Sequence, residues 1–153
     1  IDFIPTTTRI YPVGRLDYDT TGLLILTNDG NLANILMHPS NDITKTYIAK
    51  LEGILTMEEY FRLKDGIVID GVKCVPKKVK IRKKTLETNT CMVEISIVEG
   101  RNHIIKKLFA SVNHSVIKLK RESFAFLSVK NLKSKEYREL TREEVKKLYA
   151  LKK

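Results

Sequence analysis

GRLDYDTTGLLILTNDG, running from Gly14 to Gly30, changes character at Gly22. Before that glycine stand Arg15, Asp17, Asp19, Thr20 and Thr21; after it come the apolar run Leu23 to Thr27 and the tripeptide Asn28-Asp29-Gly30. A short unbroken apolar run closed by turn-forming residues reads as a buried strand ending in a tight turn. Two short carboxylates and two hydroxyls held against such a strand can set acid groups on the floor of a cleft. The same residues also form polar turns in which an aspartate merely caps backbone amides. On the residues alone, the two roles carry equal weight.

Downstream of this stretch, the pattern predicts a short helix through Leu32, Ile35 and Leu36. It stops before Pro39, because the residue preceding proline is pushed out of helical geometry. Lys45 to Leu51 alternates as a strand, with Tyr47, Ala49 and Leu51 on one face. Thr56 and Glu59 make a capping-box pattern ahead of a helix ending near Gly66. Val75 to Arg82 and Cys91 to Val98 read as hairpin partners across a polar turn from Lys83 to Asn89, with Val93, Ile95 and Ile97 sharing a face. In that pairing Lys78, Lys80 and Arg82 project together as a basic stripe. After Glu99-Gly100, Ile104, Ile105, Leu108, Phe109 and Val112 fall on one side of a helix. Val116 to Lys120 reads as a strand, and Thr141 with Glu144 opens a terminal helix. Strands and helices do not alternate steadily, so the expected class is α+β with a mixed, mainly antiparallel sheet, flanking helices and a central cleft.

The chain has 153 residues, 42% hydrophobic and 30% charged, which fits one domain around one sizeable core. No apolar stretch reaches the ~18 residues that would cross a bilayer, and no cationic leader precedes an apolar run, so a cytoplasmic, membrane-free protein is expected. Cys74 and Cys91 are too few and too far apart for a zinc knuckle or a redox CxxC pair, and packing is their expected role. His38, His103 and His114 lack HxxxH or HxxH spacing, so no metal is assigned. The net charge of +10 is unevenly spread: residues 1 to 76 carry 7 Lys or Arg against 10 Asp or Glu, and the remainder carry 21 against 8. Counterion release makes such a basic half attractive to polyanions, nucleic acid or an anionic membrane, and charge alone does not choose between them.

The motif from Gly14 to Gly30 resembles the signature of the bacterial RsuA-type pseudouridine synthases, which modify ribosomal RNA. Its flanks match as well: Tyr11-Pro12-Val13 before it, then His38-Pro39, Lys45-Thr46-Tyr47, Glu99-Gly100-Arg101-Asn102, and Tyr137-Arg138-Glu139-Leu140-Thr141. The resemblance implies the catalytic fold of that family, no cofactor and no metal, and ribosomal RNA, free or in an assembling particle, as partner. It implies that Asp17 is the catalytic carboxylate, that Arg15 helps hold a flipped nucleotide, and that Tyr47 packs against the target base. Ile105 matches an aliphatic residue lining the base pocket. The segment Glu99 to Phe109, EGRNHIIKKLF, departs from the family's usual form, close to EGRNRQIRRMF. His103 and Ile104 replace Arg and Gln, and Lys106 and Lys107 replace two arginines. Lys106 is expected to inherit the pairing with the catalytic aspartate, keeping the charge while losing the bidentate geometry.

The RNA-binding residues expected beyond the cleft are Lys78, Lys80, Arg82, Arg101 and Asn102. The S4-like domain and the strand with a Lys-Pro-x-Gly motif that usually precede the family's motif do not appear, so residues 1–153 are expected to be a catalytic domain, monomeric and part of a longer protein. Two other readings compete. Asp17-Tyr18-Asp19-Thr20-Thr21 also fits the DxDxT nucleophile pattern of haloacid-dehalogenase-type phosphatases, but that pattern needs an apolar strand running into the first aspartate, and here the strand follows it. A catalytically weak or inactive RNA-binding module of the same fold is the nearer rival.

Overall fold

A computed structural model of the chain describes residues 10–14, 16, 19–101, 103–129, 132 and 136–153. The expected sites Arg15, Asp17 and Asn102 lie outside the described residues. The order of elements is β1 (Tyr11–Pro12), β2 (Thr20–Gly22), β3 (Leu26–Thr27), α1 (Gly30–Met37), β4 (Lys45–Glu52), α2 (Met57–Asp65), β5 (Ile67–Ile69), β6 (Val72–Cys74), β7 (Lys78–Thr85), β8 (Thr90–Ile97), α3 (Ile104–Ala110), β9 (Val116–Phe124), β10 (Leu127–Ser128) and α4 (Arg142–Tyr149). The main sheet runs β10-β9-β4-β8-β7, with β2 added to β9 in parallel and every other pair antiparallel. The architecture is the mixed α+β class expected from the pattern.

Alternation in β4 and β8 builds the first core. Ala49, Leu51, Val93, Ile95 and Ile97 are buried on one sheet face together with Leu119 of β9, under Ile105, Leu108 and Phe109 of α3 and Leu63 of α2. A second core gathers Val13, Ile25, Leu32, Leu36, Ile43, Phe124, Leu127 and Leu148, joining α1 and α4 to the N-terminal segment. Both expected capping boxes form: Thr56 with Glu59 at α2, and Thr141 with Glu144 at α4. Cys74 and Cys91 are free and buried, and burial pushes the Cys74 thiol up to about 12, with the neighbouring Glu99 carboxylate adding to the effect.

Several boundaries differ from the expectation, among them β9, which runs on to Phe124 rather than ending at Lys120. Leu23 to Thr27 is not one strand: only Leu26–Thr27 is extended, pairing with β1, while the strand on the sheet is Thr20–Gly22. Leu23 to Ile25 cross from one sheet to the other, with Leu23 N–H donating to Arg121 O at 2.8 Å and Ile25 O accepting from Val13 N–H at 2.7 Å. Asp29 closes no hairpin turn. Its Oδ1 accepts from the amides of Asn31 and Leu32, so it caps α1. Finally, β7 begins at Lys78 rather than Val75, beyond Pro76, which has no amide to give the ladder, and the turn shortens to Leu86–Asn89. An unexpected hairpin, β5–β6, turns at Asp70-Gly71, both with positive φ, the Asp-Gly chemistry of a type I′ turn.

Gly22 is required where it stands. At φ +109° a Cβ there would meet the Arg121 carbonyl oxygen at 2.1 Å, so only glycine lets β2 lie against β9. Gly22→Ala is expected to lower stability by roughly 1–3 kcal/mol, read as a fall in the denaturation midpoint; an unchanged midpoint would refute the close approach. Arg138 and the Thr141 backbone hold the Glu144 carboxyl down to about 2. A folded-state pKa below the unfolded one adds stability present above the unfolded value, near 4.5, and lost as pH falls toward 2. Glu144→Gln should therefore flatten the pH dependence of melting between those limits, and an identical profile would count against the pair.

Candidate active site

A cleft of about 330 Å³ opens where the two cores meet. Val13, Leu36 and Phe124 from one core face Ile104, Ile105 and Leu119 from the other, and all six line it. Its polar lining comes from Thr20, Lys45, Tyr47, Arg101, His103, Lys106 and Arg121, with Gly14, Leu16, Met37 and Gly100 at the remaining margins. The expected residues Tyr47, Ile105, Lys106 and Arg101 are thus brought together, and Leu16 and Thr20, on either side of the segment containing Asp17, line the same cleft.

Each is positioned by an identifiable element. Tyr47 sits on β4 beside Arg121 of β9, its cross-strand partner. Ile105 is buried from the first turn of α3, whose N-cap residue His103 takes φ 54°, a conformation histidine tolerates better than most residues. Lys106 extends from the next position, and its Nζ donates to Asp19 Oδ1 at 2.5 Å. That bond is the first cause holding the Asp19 carboxyl below the usual carboxylate range. Lys106 is therefore engaged by the second aspartate of the motif, whereas its expected pairing with Asp17 falls outside the described residues.

Arg101 lines the cleft but spends its donors on the protein. Its guanidinium binds Glu99, and it donates to Ile69 O and, at 3.1 Å, to Val72 O, clamping the β5–β6 hairpin to the rim. Lys107 Nζ donates to Asp70 Oδ2 at 2.6 Å at the tip of the same hairpin. The basic stripe forms on β7, but two of its members are engaged. Lys78 and Arg82 both pair with Glu94, and Arg82 also reaches Glu122, whereas Lys80 makes no ion pair among the described residues.

Three site residues carried no role in the sequence reading. Lys45 lies in the cleft with its ammonium 5.6 Å from the centre of the Phe124 ring, and the Arg121 guanidinium lies 5.4 Å from the same ring. Burial first, and repulsion from Arg121 second, lower the Lys45 pKa, with Glu99 opposing them. Arg121 is 4% exposed; its Nε donates to Leu23 O at 2.9 Å, and its Nη2 finds no acceptor among the described residues. Thr20 Oγ1 is likewise buried without a partner there. The alternation Lys118-Leu119-Lys120-Arg121 held the signal for Arg121, since it puts that arginine in phase with a buried leucine. Buried polar atoms left unpaired at a cleft floor are ready to bind a polar ligand. Replacing Lys106 with Met is expected to raise the Asp19 carboxyl back toward the ordinary range in a carboxyl NMR titration; no movement would dissociate the two.

The family model described as RNA pseudouridylate synthase matches residues 2–111. The chain is 49% identical over 143 residues to the ribosomal large subunit pseudouridine synthase B of Bacillus subtilis (strain 168), covering 94% of this chain and 59% of that protein. It is 34% identical to the ribosomal small subunit pseudouridine synthase A of Salmonella typhimurium, over 92% of this chain and 60% of that one. Among solved structures, a crystal structure of pseudouridylate synthase superposes with a TM-score of 0.76 at 33% identity, covering 91% of this chain and 59% of the other. This chain thus spans about three fifths of the length of each of these relatives. A motif matched in order, a cleft assembled from its flanking segments and a shared fold lead to one conclusion: the chain belongs to the RNA pseudouridylate synthase family.

Proposed function

We propose that this chain isomerises a uridine of ribosomal RNA to pseudouridine, with Asp17 as the catalytic carboxylate. The supporting observation is the cleft that collects Tyr47, Ile105 and Lys106 beside Leu16 and Thr20, which precede and follow Asp17 in the chain. The reaction breaks the N1–C1′ bond, turns the uracil and forms C5–C1′, while the proton leaving C5 is balanced by one gained at N1. Substrate and product have the same atoms, so the task is positioning and acid–base or nucleophilic assistance, both within the reach of a carboxylate. An extruded uracil would find an aromatic face in Tyr47, an aliphatic wall in Ile105, and in Arg121 Nη2 and Thr20 Oγ1 donors without a partner among the described residues. Arg15 is proposed to hold the flipped nucleotide through its phosphate, and Asn102 to contact RNA beside the cleft.

The relative at 49% identity is named for the large subunit and the one at 34% for the small, which makes large-subunit RNA the first substrate to test. No helix among the described residues is long and apolar enough to cross a membrane, in keeping with a proposed site of action on cytoplasmic RNA. The departures at His103, Ile104 and Lys106 favour one rival, a module that binds RNA without turnover. Incubation with large-subunit RNA fragments followed by pseudouridine mapping separates the two. The intact chain should form product, insensitive to a chelator, and Asp17→Asn should cut the rate by about 10²-fold or more while RNA binding persists. Binding without product in both proteins would leave only the module.

A further inference from the structure

The sheet face opposite the cleft carries a concentration of charge that the fold does not use. Tyr47, Leu119 and Arg121 point to the cleft side, so the alternate positions of the same strands point away from it. Register places Lys80, Glu94, Ile48 and Lys120 in one row across β7, β8, β4 and β9. The next row holds Lys83, Met92, Lys50 and Lys118, and there Lys50 and Lys118 are direct cross-strand partners. Like charges directly opposite one another on a sheet are destabilising.

Three acidic side chains lie on this face: Glu94 and Glu122 are spent, and Glu52, at the end of β4 one row beyond Lys50, makes no ion pair among the described residues. Glu94 binds Lys78 at 2.8 Å and Arg82 at 2.6 Å, and Glu122 binds Arg82 at 3.0 Å, so Arg82 links β7 to β9 across the intervening strands. Lys50, Lys80, Lys83, Lys118 and Lys120 make no ion pair among the described residues, and all but the half-buried Lys50 are exposed. With strands about 4.8 Å apart and alternate residues roughly 7 Å apart, these five cations fall within a patch of some 10–15 Å.

We propose that this outer face docks a second segment of the substrate RNA, away from the nucleotide in the cleft, through phosphate contacts made by these five lysines. The inference rests on the proposed function for the identity of the polyanion. A single phosphate or acidic side chain could not satisfy cations so spread, whereas a duplex carries a charge every ~1.7 Å of its axis. No exposed large apolar side chain is contributed by positions 46–50, 78–83, 92–96 or 118–122, which favours a solvated polyanion over a bilayer.

The test compares the chain with a variant in which all five lysines become Gln, using a short RNA hairpin sized to the cleft and a longer large-subunit fragment. For the longer RNA, the variant should bind about 10- to 100-fold more weakly, and its log–log slope of affinity against salt should fall by about two to four units. Binding to the hairpin, and pseudouridine formation in it, should be unchanged, and a five-fold Lys→Arg variant should restore the longer RNA. An unchanged slope, or equal weakening for both RNAs, overturns the proposal. So does binding of phosphatidylserine vesicles that the Gln variant loses while its RNA slope stays intact. If neither protein forms pseudouridine but the contrast between long and short RNA holds, the catalytic reading fails and the docking surface stands.

Discussion

The parallel contact between β2 and β9 is the constraint on which the cleft depends. Three residues, Thr20 to Gly22, carry the N-terminal motif onto a strand that follows it by about a hundred positions. Gly22 permits the approach because no side chain fits between it and the Arg121 carbonyl. Arg121 then secures the join from its own side, accepting from Leu23 N–H through its carbonyl and donating to Leu23 O through Nε. One arginine thus welds motif to sheet with its backbone and inner nitrogen while leaving Nη2 at the cleft floor. Structural and chemical roles meet in a single side chain, which is why a change at Arg121 would disturb both.

Much of this was legible in the sequence, for physical reasons that differ by element. Helices α2 and α4 announce themselves by capping boxes and α1 by apolar spacing and the stop at Pro39, all local signals, whereas the Asp29 cap of α1 was read as a turn. Strands β4 and β8 were read well because apolar residues recur at every second position along them, a period that survives although the structure buries β8 on both faces from Val93 to Ile97. The run Leu23 to Thr27 was misread because an apolar string gives no period, and where it leaves one sheet for another is decided by partners far along the chain. The hairpin at Asp70-Gly71 carried a recognisable turn signal that the reading passed over. In the site, Tyr47, Ile105 and Lys106 came from motif positions and do share a cleft, whereas Lys45 matters through burial and Thr20 and Arg121 through buried atoms without partners among the described residues; alternation hinted at the burial of Arg121, but no pattern showed the missing partners.

The excess positive charge divides into populations with different consequences. Arg101 and Lys107 are engaged in holding the β5–β6 hairpin, and Lys78 and Arg82 in holding Glu94 and Glu122. Lys45 and Arg121 sit against one aromatic ring in a partly desolvated cleft, where low polarity leaves their mutual repulsion less screened than in water. The outer lysines are solvated and screened by salt. A sequence count of basic residues merges all of these, although only the last group is free to vary its partners.

The placement of the cleft at the boundary of two cores has a mechanical meaning. Its walls belong to two hydrophobic clusters joined through β9, one built on β4, β8 and α3 and the other on α1, α4 and the N-terminal segment. Anything that fills the boundary touches both, so its binding energy also acts as cohesion between them, in the same way that a wedge cemented into a joint strengthens the joint. The converse follows by reciprocity: a substitution that loosens how α4 packs on α1, far from any nucleotide, weakens the grip of the cleft by the same coupling that occupancy of the cleft would lend to the packing.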